Sequence, residues 1–86
     1  MVETICRICG KISIDIRWDE FGCPTYTICD CCGAESGYQD CDLYSITSYR
    51  KNWIDGGSPW HVKKTKPIDW DLGEQLKMIP LQFRNE

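Results

Sequence analysis

The chain twice places two cysteines three positions apart and follows the second with glycine: Cys6-Arg7-Ile8-Cys9-Gly10 and Cys29-Asp30-Cys31-Cys32-Gly33. Nineteen residues lie between Cys9 and Cys29, which falls within the spacing of ~15–20 residues typical of a four-cysteine zinc site. A two-residue spacer in a tight turn lets both sulfurs face one ion, and the glycine adopts backbone angles that other residues avoid. We therefore predict a metal site whose ligands are Cys6, Cys9, Cys29 and Cys32.

The ion predicted at this site is one structural Zn²⁺ per chain. Four thiolates fill a tetrahedral shell and leave no open position for water, whereas a catalytic zinc keeps one. Tetrahedral sulfur ligation also suits iron, as in rubredoxins. Those electron carriers have a longer loop between their turns, and a proline where this chain has Asp30. Zinc is therefore favoured over a rubredoxin-like iron site.

Three cysteines remain outside the predicted site: Cys23, Cys31 and Cys41. With His61, the only histidine, they would supply a second Cys3His site, although their spacings match no familiar turn. Free thiols are the simpler interpretation, and Cys31 is expected to point away from the first ion because it lies between two ligands. The cysteine count of seven is odd, and the first residues lack the pattern of a secretory signal. A reducing, cytoplasmic environment is thus expected rather than a disulfide scaffold.

Length and composition predict a single α+β domain built around the metal. The 86 residues are 42% hydrophobic and 27% charged, which is typical of a globular chain. We predict a zinc ribbon, with two zinc knuckles and β-hairpins, over residues 1–40, and a helical extension packed on it over residues 41–86. No stretch approaches the ~18 consecutive apolar residues of a membrane span.

Periodicity predicts the elements of each half. Every second residue from 12 to 18 is apolar, as in a half-buried strand: Ile12, Ile14, Ile16 and Trp18. A turn at residues 19–22 and a return strand at residues 25–28, with Tyr26 and Ile28 on one face, would complete the hairpin. Residues 33–40 are predicted to form a short strand or an extended loop.

Two helices are predicted after residue 41. An amphipathic helix is predicted from residues that recur at steps of three and four: Leu43, Ile46, Tyr49 or Arg50, Trp53 and Ile54. Gly56-Gly57 would end it. Asp42 or Ser45 would cap its start. Asp71 followed by Glu74 fits a capping box, which opens a short C-terminal helix through Leu72, Leu76 and Ile79 until Pro80 stops it.

No catalytic constellation is evident, so we predict that the protein is not an enzyme. His61 lies in a turn with no nucleophile context. The acidic pairs Asp40 with Asp42 and Asp69 with Asp71 are better explained as solvated faces and helix caps than as acid–base pairs. A binding role is favoured instead.

Charge favours a protein partner over nucleic acid. Residues 1–43 contain eight acids and three bases, and residues 44–86 contain five acids and seven bases. Four thiolates around a divalent ion add about −2 to the first half, which would repel phosphate. The favoured partner is a basic protein, which exposed Trp and Tyr residues beside acidic ones would suit. A position in the core is nevertheless the simpler interpretation of each aromatic residue. The alternative is a nucleic-acid-associated zinc ribbon that uses Arg50, Lys51, Lys63, Lys64 and Lys66.

The second cysteine unit resembles that of small bacterial cysteine-rich proteins whose metal turn reads Tyr-x-Ile-Cys-Pro-Cys-Cys. Here the stretch is Tyr26-Thr27-Ile28-Cys29-Asp30-Cys31-Cys32, with Asp30 in place of proline. The similarity continues through residues 49–54 and 67–70 and covers most of residues 5–76. It implies a bacterial or phage origin and a zinc ribbon with an appended helix, but no activity. By analogy with other small acidic bacterial proteins, an immunity or inhibitor role against a toxin is expected.

Overall fold

Antiparallel backbone pairing brings the two cysteine turns together in the first half of the chain. The computed structural model describes residues 2–84. Four isolated bridges are present: Glu3 with Trp18, Ile5 with Ile12, Trp18 with Pro24, and Ile28 with Glu35. Each cysteine turn is thus flanked by one bridge, and Trp18 links the chain segments on either side of it. Within residues 2–84 none of this pairing extends into a regular strand.

The predicted strand over residues 12–18 is wrong in its middle. Backbone hydrogen bonds join Ser13 to Thr4 at 3.0 Å and Arg17 to Glu3 at 2.8 Å. Glu3 and Thr4 are adjacent in the chain, whereas Ser13 and Arg17 are four positions apart. The residues between them, 14–16, therefore bulge outward. Ile14 is consequently 98% exposed instead of lying on the inner face of a strand.

The return segment and the stretch after the second cysteine turn are also irregular. Tyr26 has a left-handed backbone with φ of +57°, which interrupts the predicted strand at residues 25–28. Tyr26 and Ile28 are both exposed. Glu35 makes one bridge, and residues 36–39 then form a turn where a short strand or an extended loop is predicted.

Helix α1 spans Leu43–Asp55, as its periodicity predicts. Asp42 caps the start by accepting a hydrogen bond from the Ser45 N–H at 2.8 Å, and Gly56 is the C-cap. The buried residues of the helix are Ile46, Arg50 and Trp53. One of the three residues that α1 buries is therefore charged.

Helix α2 spans Leu72–Leu76 and is shorter than predicted. Asp71 accepts from the Glu74 N–H at 2.9 Å, but the Glu74 carboxylate pairs with Lys77 at 2.6 Å. Only half of the capping box therefore forms. The chain continues from Lys77 to Pro80 through a turn rather than a further helical turn.

Two short 3₁₀ helices, Lys63–Thr65 and Leu81–Phe83, complete the described elements. The second one brings Phe83 against the first cysteine turn, where the Arg7 guanidinium lies between the rings of Trp18 at 3.9 Å and Phe83 at 4.4 Å. This cation–π stacking packs the end of the described chain against its beginning. None of the helices in residues 2–84 has the length and hydrophobicity needed to cross a bilayer.

The core lies where the cysteine turns meet α1 and the loop after it. Its buried members are Cys6, Ile8, Cys9, Cys29, Cys31, Cys32, Ala34, Ile46, Trp53 and Trp60. Trp60 also meets the edge of Trp70, with ring centroids 5.6 Å apart. The radius of gyration is 11.9 Å, close to the value of about 12 Å expected for a compact chain of this length. The molecule is a small α+β protein in which cysteines form a large part of the core.

Candidate metal centre

The two cysteine turns, knuckle 1 (residues 6–10) and knuckle 2 (residues 29–33), close with the same two hydrogen bonds. The N–H of the first cysteine donates to the carbonyl five residues later, at 2.9 Å in both knuckles. The glycine N–H donates back to the carbonyl of the first cysteine, at 3.0 Å and 2.9 Å. Gly10 and Gly33 have φ of +84° and +78°, a left-handed conformation that favours glycine. The repeated sequence thus builds the same local structure twice.

The knuckles bring together the four sulfurs predicted as ligands, those of Cys6, Cys9, Cys29 and Cys32, which all lie within 4.8 Å of one another. Across the knuckles, Cys6 Sγ is 3.6 Å from Cys32 Sγ, and Cys9 Sγ is 3.6 Å from Cys29 Sγ. A tetrahedral ion with metal–sulfur bonds of about 2.3 Å would separate its ligands by about 3.8 Å. The four buried thiols could therefore hold a metal ion.

Protons and a cation compete for this cluster. Hydrogen bonds between the sulfurs lower the pKa of Cys29, chiefly through Cys32, and raise the pKa of Cys9, chiefly through Cys29. Ionisation of one thiol therefore opposes ionisation of its neighbour. A divalent ion removes this conflict because it binds every ligand as a thiolate.

The remaining cysteines lie outside the cluster. Cys23 and Cys41 are exposed, whereas Cys31 is fully buried. As expected, Cys31 does not join the four sulfurs; its Sγ accepts a hydrogen bond from Gln75 Nε2 at 3.3 Å. No other three His, Cys, Asp or Glu side chains in the described part of the chain are close enough to share an ion. The alternative second site, which also needs His61, does not assemble.

Side chains from the second half of the chain satisfy the backbone carbonyls of knuckle 1. Arg50 donates from Nη2 to the Arg7 carbonyl at 2.9 Å and from Nε to the Ile8 carbonyl at 2.7 Å. Gln75 Nε2 donates to the Cys9 carbonyl at 3.1 Å. Because buried carbonyls are costly to leave without a donor, these contacts hold the turn in its closed form.

The three corresponding carbonyls of knuckle 2 are also satisfied, but mainly by backbone. The Val62 N–H donates to Asp30 at 2.8 Å, the His61 N–H to Cys31 at 3.0 Å, and the Tyr49 hydroxyl to Cys32 at 2.8 Å. Burial raises the pKa of Tyr49, and the nearby thiolates raise it further. The phenol therefore stays protonated and keeps its donor.

Gln75 joins helix α2 to the cysteine cluster. Its Oε1 accepts from the Trp70 indole N–H at 2.8 Å, while its Nε2 faces both the Cys9 carbonyl and Cys31 Sγ. The helix approaches knuckle 1 closely, since a Cβ added to Gly10 would lie 2.3 Å from the Gln75 carbonyl oxygen. Glycine at position 10 is therefore required by both backbone angle and space.

Arg50 is 6% exposed, which is unusual for a cation. Among residues 2–84 no carboxylate lies within 4.0 Å of its guanidinium. Burial lowers the pKa of Arg50, and the thiolates of Cys6, Cys9 and Cys32 oppose that shift. The prediction of Arg50 as a nucleic-acid contact is wrong because the side chain is buried against knuckle 1.

The other cations of that alternative surface are exposed, but two have partners within the chain. Lys51 pairs with Asp55 at 2.7 Å, and Lys66 lies 5.0 Å from the centre of the Trp70 ring. Lys63 and Lys64 lie on the exposed 3₁₀ helix. The nucleic-acid alternative therefore loses Arg50 but keeps these four exposed lysines, and it stays a prediction.

The sequence pattern does not single out the residues that support the knuckles. Arg50 lies between Ile46 and Trp53 on the buried face of α1, and that spacing is the one signal that marks it. Asp40 is a second charged residue whose burial the sequence does not indicate. It is fully buried and accepts hydrogen bonds from the Gly37 N–H at 2.7 Å and from the Trp18 indole N–H at 3.1 Å. Its predicted place on a solvated face is therefore wrong.

Comparisons with protein-family models, with curated proteins and with solved structures found no match. The resemblance to small bacterial cysteine-rich proteins therefore stays a prediction. The physical basis for a role is the buried sulfur cluster, the hydrogen bonds around it and the surface that the first half exposes.

Proposed function

We propose that this protein is a non-enzymatic zinc ribbon whose role is to bind another protein. The zinc stabilises the fold, and the apolar surface of the ribbon makes the contact. The observation that carries the binding role is the outward bulge of residues 14–16, which leaves Ile14 98% exposed.

Zinc is supported by the chemistry and burial of the donors. Four sulfurs that all lie within 4.8 Å of one another would fill a tetrahedral coordination shell and leave no position for water or substrate. All four cysteines are 5% exposed or less, so the ion would be shielded from solvent. A structural zinc contributes an apparent ~10–16 kcal/mol in small peptides at neutral pH, which is large beside the stability of a core this small.

The proposed contact surface, the ribbon face, surrounds the bulge. Its exposed apolar residues are Ile12, Ile14, Ile16, Tyr26 and Ile28. The Thr25 hydroxyl donates to the Arg17 carbonyl at 3.0 Å, and the Thr27 hydroxyl to the Ile16 carbonyl at 3.4 Å, so the two segments lie side by side. Large exposed apolar side chains on two adjacent segments of a small protein are typical of an interaction site.

The charge around the ribbon face points to a basic partner. In the same segment Asp15 and Glu20 are exposed. Two of the nearby cations are already engaged: Arg7 pairs with Glu3 at 2.7 Å, and Arg17 is 2% exposed. A partner with an apolar patch rimmed by lysine or arginine would be complementary in both hydrophobicity and charge.

The proposal is tested by photo-crosslinking from two equally exposed positions. A photoreactive amino acid replaces Ile14 on the ribbon face or Ile68, which is fully exposed on the other half of the chain, and crosslinks are formed in the native host. We expect one protein to be captured from position 14 and not from position 68. Equal capture from both positions, or capture of DNA or RNA alone, would contradict the proposal.

An immunity or inhibitor role stays a prediction within this proposal. If it holds, the protein captured at position 14 is a toxin, and co-expression of this chain protects cells from it. Substitution of Ile14 by Asp should then abolish protection, while Ile68→Asp should preserve it.

A further inference from the structure

We propose that Arg50 has two roles at the metal centre: it positions the residues of knuckle 1, and it is the buried positive charge that balances the thiolates. Through both roles it limits the rate at which the bound ion leaves. This inference rests on the metal binding proposed above. It assigns a role to a residue that neither ligates the ion nor lies on the ribbon face.

The planar guanidinium of Arg50 donates hydrogen bonds to three backbone carbonyls and so links them. Nε donates to Ile8 at 2.7 Å, and Nη2 donates to Arg7 at 2.9 Å and to Phe83 at 2.6 Å. Arg7 and Ile8 are the two residues between the ligands Cys6 and Cys9. The side chain therefore fixes the spacer of knuckle 1 and ties it to the end of the described chain.

The charge of Arg50 has no carboxylate partner within 4.0 Å in residues 2–84. A buried cation needs a compensating anion. Four thiolates around a divalent ion would carry about −2, and Arg50 is hydrogen-bonded to both residues between the ligands Cys6 and Cys9. The metal–thiolate centre is thus the anion that Arg50 balances.

Release of the ion requires knuckle 1 or knuckle 2 to open. Opening knuckle 1 breaks the bonds from Arg50 to two neighbouring carbonyls at once and moves a thiolate pair away from its counter-charge. Partners of this outer kind, which orient ligands, typically change metal affinity about 10- to 100-fold when mutated. Without Arg50, knuckle 1 should become the route by which the ion leaves.

The test measures transfer of zinc from the loaded full-length protein to an excess of a chromogenic chelator. Arg50→Met removes both charge and donors, Arg50→Lys keeps the charge without the planar fork, and Arg50→Gln keeps an amide without the charge. Lys51→Met is the matched control, because Lys51 is the next residue on α1 and its ion pair within residues 2–84 is with the exposed Asp55. Ile46→Ala, at a fully buried position of the same helix, is a control for loss of stability.

We expect zinc to leave Arg50→Met about 10- to 100-fold faster than wild type, with Arg50→Lys slower than Arg50→Gln and Lys51→Met unchanged. The cobalt-loaded Arg50→Met protein should also show a shifted sulfur-to-metal charge-transfer band, which Ile46→Ala should not. Release from Arg50→Met no faster than from Ile46→Ala would overturn the positioning role. Release from Arg50→Lys as fast as from Arg50→Gln would overturn the counter-charge role. A wild-type protein that binds no metal would instead contradict the proposed function.

Discussion

Knuckle 1 and knuckle 2 make the same internal hydrogen bonds, yet the rest of the chain supports them in different ways. The carbonyls of knuckle 1 accept from the side chains of Arg50 and Gln75, whereas those of knuckle 2 accept from two backbone N–H groups and Tyr49. Almost any substitution removes a side-chain donor, but a backbone donor is present whatever residue other than proline stands there. The comparison teaches that identical metal turns can differ in how far their support depends on sequence.

The largest effect is expected where the knuckles do not differ, at the ligands. Cys9→Ser and Cys29→Ser should destabilise the protein equally, because each opens the same coordination shell and forfeits much of an apparent ~10–16 kcal/mol of zinc-linked stability. Thermal unfolding followed by circular dichroism, with zinc and with a chelator, measures this. Cys23→Ser, at an exposed cysteine, is the control. An unchanged spectrum after complete metal removal would contradict the structural role of the ion.

The glycines should separate the knuckles. Gly10→Ala adds a Cβ 2.3 Å from the Gln75 carbonyl oxygen, whereas Gly33→Ala meets only the His61 ring at 3.2 Å. Each substitution carries the left-handed cost of about 1–2 kcal/mol, and overpacking adds about 1–3 kcal/mol at Gly10. Urea unfolding of the zinc-loaded proteins tests the order. Gly22→Ala, with φ of +77° and nothing within 4 Å, isolates the backbone cost. Equal losses of unfolding free energy at Gly10 and Gly33 would contradict this order and show that α2 can move away from the added methyl group at little cost.

The polar supports should differ in the same direction. Gln75→Leu leaves the Cys9 carbonyl and the Trp70 indole without their partners, at about 1–3 kcal/mol for each buried group. Tyr49→Phe leaves one group, the Cys32 carbonyl, without its donor rather than two, and should therefore cost about half as much as Gln75→Leu, about 1–3 kcal/mol. The free energy of unfolding decides between them, with Thr47→Val, at a half-buried position two residues before Tyr49 on α1, as a reference. A larger loss for Tyr49→Phe would reverse the comparison.

The smallest effect is expected at His61, although it is the only histidine. Its backbone N–H supports knuckle 2, and its side chain is exposed. His61→Ala should therefore change the unfolding free energy by no more than about 0.5 kcal/mol and leave the zinc content unchanged. Loss of metal from this variant would show that the imidazole is a ligand.

The parts of the fold that are predictable from sequence are those set by near neighbours. The spacing of Cys6 and Cys9, with Gly10 after them, dictates a turn whose hydrogen bonds close within six residues. Helix α1 is similarly local, since its apolar spacing, Asp42 cap and Gly56 end all act within one or two turns. The proximity of the four sulfurs is predictable from the assumption that the two turns bind one ion together.

The rest depends on contacts between distant residues. The alternation of Ile12, Ile14 and Ile16 is a valid strand pattern. However, Ser13 and Arg17 pair with the neighbouring residues Thr4 and Glu3, so the three residues between them bulge outward. The acceptors of Arg50 lie more than thirty positions away along the chain. The helical spacing of Arg50 between Ile46 and Trp53 is a local signal of its burial, but it does not reveal which distant carbonyls the guanidinium binds.

The metal content of two neighbouring cysteine variants tests the central claim most directly. Cys32 belongs to the sulfur cluster and Cys31, the residue before it, does not. Native mass spectrometry of freshly purified protein should find one zinc per chain in the wild type and in Cys31→Ser, and loss of zinc in Cys32→Ser. A folded wild type without metal, or loss of the ion from Cys31→Ser with retention in Cys32→Ser, would contradict the assignment of the four ligands.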